Sequence, residues 1–517
     1  MSQLRFPGVH AQTTPDRVAL TMAGSGQQLT FGELDAVANR LARTFGELGL
    51  EHGDHVAACM ENRIEVPQVA WGAHYSGLHY TFFSTHLTAE EAAYIIGDSG
   101  SRVVVLTPAM ADRLQPQLAS LVGDDVRFVS VGGEVEGADD LFALTASQSA
   151  EPIPDAIEGA DMLYSSGTTG RPKGVLRPLS GQPLGTTAGL ALLGEFLMGM
   201  SPESVYLSPA PLYHAAPLKW SLESTALGAS VVLMERFDAE AVLSAIQTYG
   251  VTHAQFVPTM FVRMLKLPEE VRHRYDLSSL QALIHAAAPC PPEVKRRMMD
   301  WVGPIVNEYY AGTEGSGFCW CSAEDWLAHP GSVGKPLIGV IHIVGPDGEE
   351  LPVGEEGVIY FGEGPQFEYH NDPDKTAEAY HDRGWSTLGD IGRVDEDGFL
   401  YLTDRQSNMI ITGGVNVYPQ EAENVLATHP EVLDAAVIGV PNEEFGEEVK
   451  AVVQLMDGVS ADEATAARLM AHCRGQLADV KCPRSVDFVD ELPRLPTGKL
   501  VKRLLRDRYW EGQGSRI

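Results

Sequence analysis

Basic residues are scarce in this 517-residue chain: 37 lysines and arginines stand against 70 aspartates and glutamates, a formal net charge of −33. So negative a surface repels polyanions, which argues against nucleic acid or an anionic membrane as partner. Long apolar runs are missing as well. None approaches the ~18–20 residues of an integral membrane span, and the opening MSQLRFPGVHAQTTPDRVAL lacks the apolar core of a secretion signal. The six cysteines (Cys59, Cys290, Cys319, Cys321, Cys473, Cys482) are too scattered for a disulfide framework and fit a reducing, cytoplasmic setting. Cys319 and Cys321 form a C-x-C with no second ligand pair, a pattern that favours packing over metal. No repeat and no low-complexity tract interrupts the chain, whose length exceeds what one core holds and predicts two or more domains.

What is present is a regular alternation of elements. TFGELDAVANRLARTFGELG predicts a helix with both ends marked: Thr30 and Glu33 form a capping box, Leu34, Val37, Ala38, Leu41, Phe45 and Leu48 the apolar stripe, and Gly49 the stop. Short β-branched runs recur at Arg102, Ser230 and Gly357, with helical stretches such as AEAVLSAIQTYG between many of them. Strands alternating with helices predict an α/β fold of layered, mixed and largely parallel sheets. After GFLYLTDRQSNMIITGG the character shifts to a compact α+β pattern, with helices in YPQEAENVLATHP and through Leu469 to Leu477 flanking strands DAAVIGVP and EVKAVVQL. The shift predicts a large domain over 1–404, a hinge at 405–408 and a small C-terminal domain over 409–517.

YSSGTTGRPKGV, Tyr164 to Val175, is a glycine- and hydroxyl-rich segment with one lysine. It is not the GxxxxGK[ST] phosphate loop: counted from Gly167, Pro172 stands where a glycine belongs, and Gly174 follows Lys173 in place of a hydroxyl. Backbone N–H groups, hydroxyls and one cation still suit it to wrapping a polyphosphate. Further along, EYYAGTEG offers an aromatic ring, a hydroxyl and a carboxylate, and STLGDIG sets Asp390 in a glycine-flanked turn able to chelate ribose hydroxyls. LTDRQSNMI puts Arg405 at the domain boundary, and LPRLPTGKLVKR puts Lys499 on a loop punctuated by proline and glycine. Between Arg494 and Arg508 six basic residues (Arg494, Lys499, Lys502, Arg503, Arg506, Arg508) face one acid, Asp507. Such a tail reads equally as a solvated helix face or as the landing place of an anionic substrate.

In their order and spacing these segments resemble the adenylate-forming superfamily of acyl-CoA synthetases, luciferases and peptide-synthetase adenylation domains, and are most similar to its fatty-acid and aryl-acid CoA ligases. The resemblance runs from LTFGELDAVANRLA to PTGKLVKR. It implies a large AMP-binding domain, a mobile C-terminal lid and an active site where the two meet. It also implies an acid:CoA ligase that uses ATP, Mg²⁺ and CoA. A carboxylate is a poor electrophile, so ATP first makes the acyl-adenylate and pyrophosphate, and the CoA thiol then displaces AMP. By resemblance, Thr168, Thr169 and Lys173 hold the phosphates, and Thr313 binds the α-phosphate. Tyr310 stacks on adenine beside Ala287 and Ala288, Glu314 takes Mg²⁺, and Asp390 and Arg405 grip the ribose. Lys499 bridges carboxylate and α-phosphate as a compact point charge, and His214 lies by the acyl carbonyl. Gly413 and Gly414 serve the CoA half-reaction after a rotation about Ser407.

Ala286-Ala287-Ala288-Pro289 stands where many members have GGAP, Leu388 where a threonine often precedes the Gly-Asp pair, and Ser407 where Asp or Lys is usual. None of these removes a charged catalytic group. The segments expected to line the acyl pocket carry Tyr213, Phe256, His285, Tyr309 and Ala311, with no acid to pair an amino group, which argues against an amino-acid substrate. A medium or long fatty acid is the expected substrate and an aryl or arylpropenoic acid the alternative. A carrier-directed adenylation enzyme, a luciferase and a non-catalytic acyl-adenylate binder are the rival readings. A small-molecule acid is thus the expected partner, and a homodimer is compatible with the sequence.

Overall fold

The computed structural model describes residues 4–165, 172–186, 189–442, 444–494 and 500–511. Its contacts divide the chain into two compact units, one of Met1–Gln255, Tyr275–Ala282 and Phe367–Thr376, the other of Phe256–Arg274, Leu283–Gln366 and Ala377–Ile517.

The first unit bears out the α/β expectation. Its six-stranded sheet runs Asp139–Asp140, Arg127–Ser130, Val103–Leu106, His55–Cys59, His79–Phe82, Ala160–Asp161, every neighbouring pair parallel. Val103–Leu106 is buried along its whole length, as a strand covered on both faces must be. A second parallel set joins Val18–Met22, Ser230–Leu233 and Val205–Ser208. The helix Phe31–Glu47 starts at the predicted capping box, with both reciprocal bonds made, and buries Leu34, Ala38, Leu41 and Phe45. A small antiparallel hairpin pairs Leu163–Ser165 with Lys173–Leu176, and Glu368–Tyr369 extends it.

In the second unit the antiparallel strands Val340–Val344, Gly357–Gly362, Ser386–Val394 and Leu400–Arg405 form a four-stranded sheet. Val306–Ala311 pairs parallel with Leu283–His285 and antiparallel with Phe318–Cys321. The 3₁₀ turn Gln406–Asn408 follows, and then a five-stranded sheet in which Val432–Asn442 and Gly446–Leu455 make a long antiparallel pair. The helices Pro419–Ala427 and Glu463–Arg474 pack on this sheet through Leu426, Leu469 and Cys473, as the C-terminal pattern predicts. Cys319 lies in the apolar core with Val333, Ile359 and Leu400.

A charged pair is fully enclosed in this unit. Lys295, on the helix Pro292–Val302, has no exposed surface; its Nζ lies 2.8 Å from Glu308 Oε2 and 5.1 Å over the Trp326 ring. Burial pushes the Glu308 carboxyl up and Lys295 pulls it down. Removing one partner of a buried pair leaves a charge with nothing to balance it, at a cost of about 3–5 kcal/mol. Lys295→Met is therefore expected to lose about that much stability at neutral pH in urea denaturation. The deficit should shrink as pH falls, because Glu308, its folded pKa raised further, takes up a proton and its charge disappears. A deficit independent of pH would assign the loss to packing instead.

Candidate active site

The cross-strand register of the four-stranded sheet sets Asp390 directly opposite Arg405. At that spacing the side chains meet: Arg405 Nε lies 2.9 Å from Asp390 Oδ1, while Tyr310 donates its hydroxyl to Asp390 Oδ2 at 2.7 Å. Asp390 holds the Arg405 guanidinium firmly charged, with Glu314 adding to the field. Burial pushes the Tyr310 phenol well up, so it is a donor at any working pH. Three residues distant in the chain thus converge on one carboxylate, and each of its oxygens keeps a lone pair for a further donor. A vicinal diol has the two hydroxyls that such a carboxylate accepts.

Around this node stand the other adenylate candidates of the same unit. Ala287 follows the strand ending at His285 and takes φ +73°, a left-handed conformation a residue with a Cβ adopts at a cost of ~1–2 kcal/mol. Ala287 is exposed and Ala288 half-buried. A bend held against its own preference, on the surface, points to a constraint other than packing. Thr313 and Glu314 follow the strand Val306–Ala311 and are half-buried. Gly312 leaves room for them: a Cβ on it would lie 2.7 Å from both the Glu314 carboxylate and a Leu388 methyl, so those two side chains would have to shift. Leu388 therefore packs against the adenylate segment at the position where the family often has threonine.

The candidates of the other unit form a separate group. Lys173 opens its strand opposite Ser165, with its Nζ 4.6 Å over the Tyr369 ring. Thr168 and Thr169 lie outside the described residues. His214 caps the helix Ala215–Leu227 without a side-chain cap bond and tilts against Tyr213, centroids 4.5 Å apart. Burial pulls the His214 imidazole down to about 3, with His86 adding to it. It is a neutral donor or acceptor, then, and its Nε2 is buried without a hydrogen-bond partner among the described residues.

Of the acyl-pocket candidates, Phe256, His285 and Tyr309 are buried and Ala311 is half-buried. Phe256 and Phe261 pack at 5.5 Å, Phe261 meets His285 edge-on at 5.5 Å, and Tyr309 stacks on Phe318 at 5.3 Å. His285 Nε2 stands 3.3 Å from Glu308 but off hydrogen-bond geometry, and burial keeps the ring neutral. Phe261 and Phe318 are not among the residues the sequence singles out. Phe256 ends a strand and Phe261 lies on the helix after it, and Phe318 lies on the strand paired with that of Tyr309, so tertiary structure and not local pattern brings these rings together.

Gly413 and Gly414 form the two-residue turn between Ile410–Thr412 and Val415–Val417, both at positive φ. That turn alone calls for glycine. Ser407 lies in the 3₁₀ turn, where its carbonyl accepts from Arg506 at 3.3 Å. Lys499 lies outside the described residues. Three members of the basic tail are engaged internally: Lys502 pairs with Glu423 at 2.8 Å, Arg494 with Asp434, and Arg506 with the Ser407 carbonyl.

The residues fit the co-substrates. Asp390 has the lone pairs a ribose diol would meet, and Glu314 is a half-buried carboxylate of the kind Mg²⁺ takes when phosphates supply most of its ligands. The AMP-binding enzyme family matches residues 9–367, and the AMP-binding enzyme C-terminal domain matches residues 421–499. Among curated relatives, the 2-succinylbenzoate–CoA ligase of Geobacillus kaustophilus is 34% identical over 496 residues, 95% of each chain. The feruloyl-CoA synthase of an Amycolatopsis species is 34% identical over 514 residues, 98% of each. The long-chain-fatty-acid–CoA ligase FadD13 of Mycobacterium tuberculosis is 31% identical over 508 residues, 96% of this chain and 97% of the other. ATP-bound MatB from Rhodopseudomonas palustris superposes with a TM-score of 0.81 at 30% identity, covering 98% of this chain and 99% of that one. No helix among the described residues is long and apolar enough to cross a membrane. The chain belongs to the AMP-binding enzyme family, as one of its AMP-forming acid–thiol ligases.

Proposed function

We propose that this ligase converts an aromatic carboxylic acid, of the aryl or arylpropenoic type, to its CoA thioester through an aryl-adenylate. The single observation that carries the adenylating half is the Asp390 carboxylate shared by Arg405 and Tyr310. The aromatic reading of the acid rests on the packed rings Phe256, Phe261, His285, Tyr309 and Phe318, since flat rings are best matched by edge and face contacts with a flat substrate. Relatives named for feruloyl and succinylbenzoate substrates support it; FadD13, named for long-chain fatty acids, supports the fatty-acid reading expected from the sequence.

In this reading Asp390 and Arg405 fix the ribose, and Tyr310, its hydroxyl committed to Asp390, offers its ring to the adenine. Thr313 and, by the resemblance, the Lys173 segment would bind phosphate oxygens, and Glu314 would hold Mg²⁺, which when bound offsets phosphate charge. The acid's carboxylate then attacks the α-phosphorus; the bond to the bridging oxygen breaks and pyrophosphate leaves with its electron pair. Lys499 offsets the repulsion between the two anions, which is where electrostatic stabilisation counts most. In the second half the CoA thiolate attacks the carbonyl carbon and AMP leaves. Neutral His214 is suited to orienting that carbonyl, not to supplying a charge. The 1–404 and 409–517 division, with Ser407 as pivot, is part of the same proposal.

The test is AMP release with CoA across a panel of acids. Ferulate- or benzoate-type acids are expected to exceed C8–C18 fatty acids in kcat/KM by at least about tenfold. The reverse order would return the assignment to fatty acids. In parallel, Lys499→Ala should lower acid-dependent ATP–pyrophosphate exchange by about two orders of magnitude or more. Thioester formation from synthetic acyl-adenylate should stay near the wild-type rate, and equal loss in both halves would refute the role given to Lys499.

A further inference from the structure

Asn62 is buried, and both ends of its side-chain amide are engaged. Its Nδ2 donates to the Ala210 carbonyl at 2.9 Å and to the Met234 carbonyl at 2.8 Å, and its Oδ1 accepts from the Leu212 N–H at 2.8 Å. Turned over, the amide would set its oxygen against two carbonyls, so its orientation is fixed. Three strands end at this side chain. Asn62 follows His55–Cys59 of the six-stranded sheet, Ala210 follows Val205–Ser208, and Met234 follows Ser230–Leu233. The last two strands are parallel neighbours in the nine-stranded sheet, so one amide stitches two sheets together. All three ends are carboxyl ends, the side of an open α/β sheet on which ligands bind.

The loop held by Asn62 leads straight to His214. Ala210 stands between Pro209 and Pro211, and neither proline has an N–H with which to fasten the chain. Leu212, whose N–H Asn62 accepts, is two residues before His214, so their Cα atoms are at most about 7 Å apart. His214 donates its own N–H to the Pro211 carbonyl at 3.3 Å and caps the helix Ala215–Leu227. Tyr213 is fixed from another direction, its hydroxyl bonded by Ser84 and Thr85. The backbone course from Ala210 to Leu212 therefore decides where the His214 imidazole is carried. That ring is neutral, and its buried Nε2 has no hydrogen-bond partner among the described residues, as a group kept for a ligand oxygen would.

We propose that Asn62 is the positioning residue that aims His214 at the acyl carbonyl. It touches no reacting atom and acts through the 210–212 backbone. Without its amide the Ala210 and Met234 carbonyls are left buried and without that donor, and the loop relaxes toward other partners. The loss falls on the step in which the carbonyl must be oriented toward the thiol, while ATP, whose proposed contacts come from other segments, binds as before. The inference rests on the role given to His214 under the proposed function.

The experiment measures thioester formation from synthetic acyl-adenylate and CoA in full-length Asn62→Leu, His214→Ala and the double variant. Asn62→Leu is expected to lower kcat about 10- to 100-fold, the scale of a displacement near 1 Å. Its KM for ATP in pyrophosphate exchange should stay within about twofold, which also reports that the variant is folded. In the His214→Ala background the same Asn62→Leu change should cost less than about twofold, because the ring it aims is gone. A stitch that only stabilises the fold would cost as much without His214 as with it, and that additivity overturns the proposal. Asn62→Asp, which keeps the acceptor for Leu212 and loses both donors, carries the same cycle should Asn62→Leu fail to fold. If His214→Ala slows thioester formation while the Asn62 variants do not, this inference fails alone. If His214→Ala leaves the rate unchanged, the role of the histidine fails and this inference with it.

Discussion

Everything proposed for the nucleotide depends on one carboxylate being held still. Asp390 lies opposite Arg405 because two antiparallel strands pair in that register and no other, and a slip of one residue would turn both side chains to the far face of the sheet. Tyr310 reaches the same carboxylate from a different sheet of the same unit. The cost of burying these polar groups is offset only while all three meet, so the arrangement is cooperative: loosening one leaves two buried groups unsatisfied. Hydrogen bonds strengthened by charge and kept from water make a rigid receptor, which is what discrimination between a ribose and any other polyol requires.

Much of this was legible in the amino-acid order because it is local. The capping box at Thr30 and Glu33 and the stripe of Leu34, Ala38, Leu41 and Phe45 are short-range patterns, and the helix formed where they predict it. The glycine-flanked Asp390 and the boundary Arg405 could likewise be singled out, but their pairing across strands could not, because register belongs to tertiary structure. Lys295 and Glu308 illustrate the limit. They are thirteen residues apart and no sequence pattern pairs them, yet they are buried against Trp326. The basic tail illustrates the reverse: a charge run that read equally as a solvated helix face or an anion site is tied down by Glu423, Asp434 and a backbone carbonyl at three of its positions, which no local pattern shows.

Ala287 and Leu388 show how a departure from a family pattern is accommodated. The bend at Ala287 keeps the left-handed backbone that glycine takes freely, so the shape of the segment survives while its methyl group is added. Leu388 fills the space beside Gly312 that a side chain there would have to share. In both places an apolar group stands where the family pattern has glycine or threonine.

The engagement of the basic tail has a consequence for how ligands arrive. The net charge of −33 already counts Arg494, Lys502 and Arg506, and with these three held inside the fold they form no free basic patch to draw anions in. ATP, CoA and the carboxylate are all anions, and each approaches a protein of its own sign. Beyond a Debye length of ~10 Å at 0.1 M ionic strength that repulsion is screened, and below that ionic strength it reaches further. Capture of all three co-substrates is thus slowed in dilute buffer and quickened by added salt, the opposite of the steering by which most nucleotide-binding clefts gather their ligands.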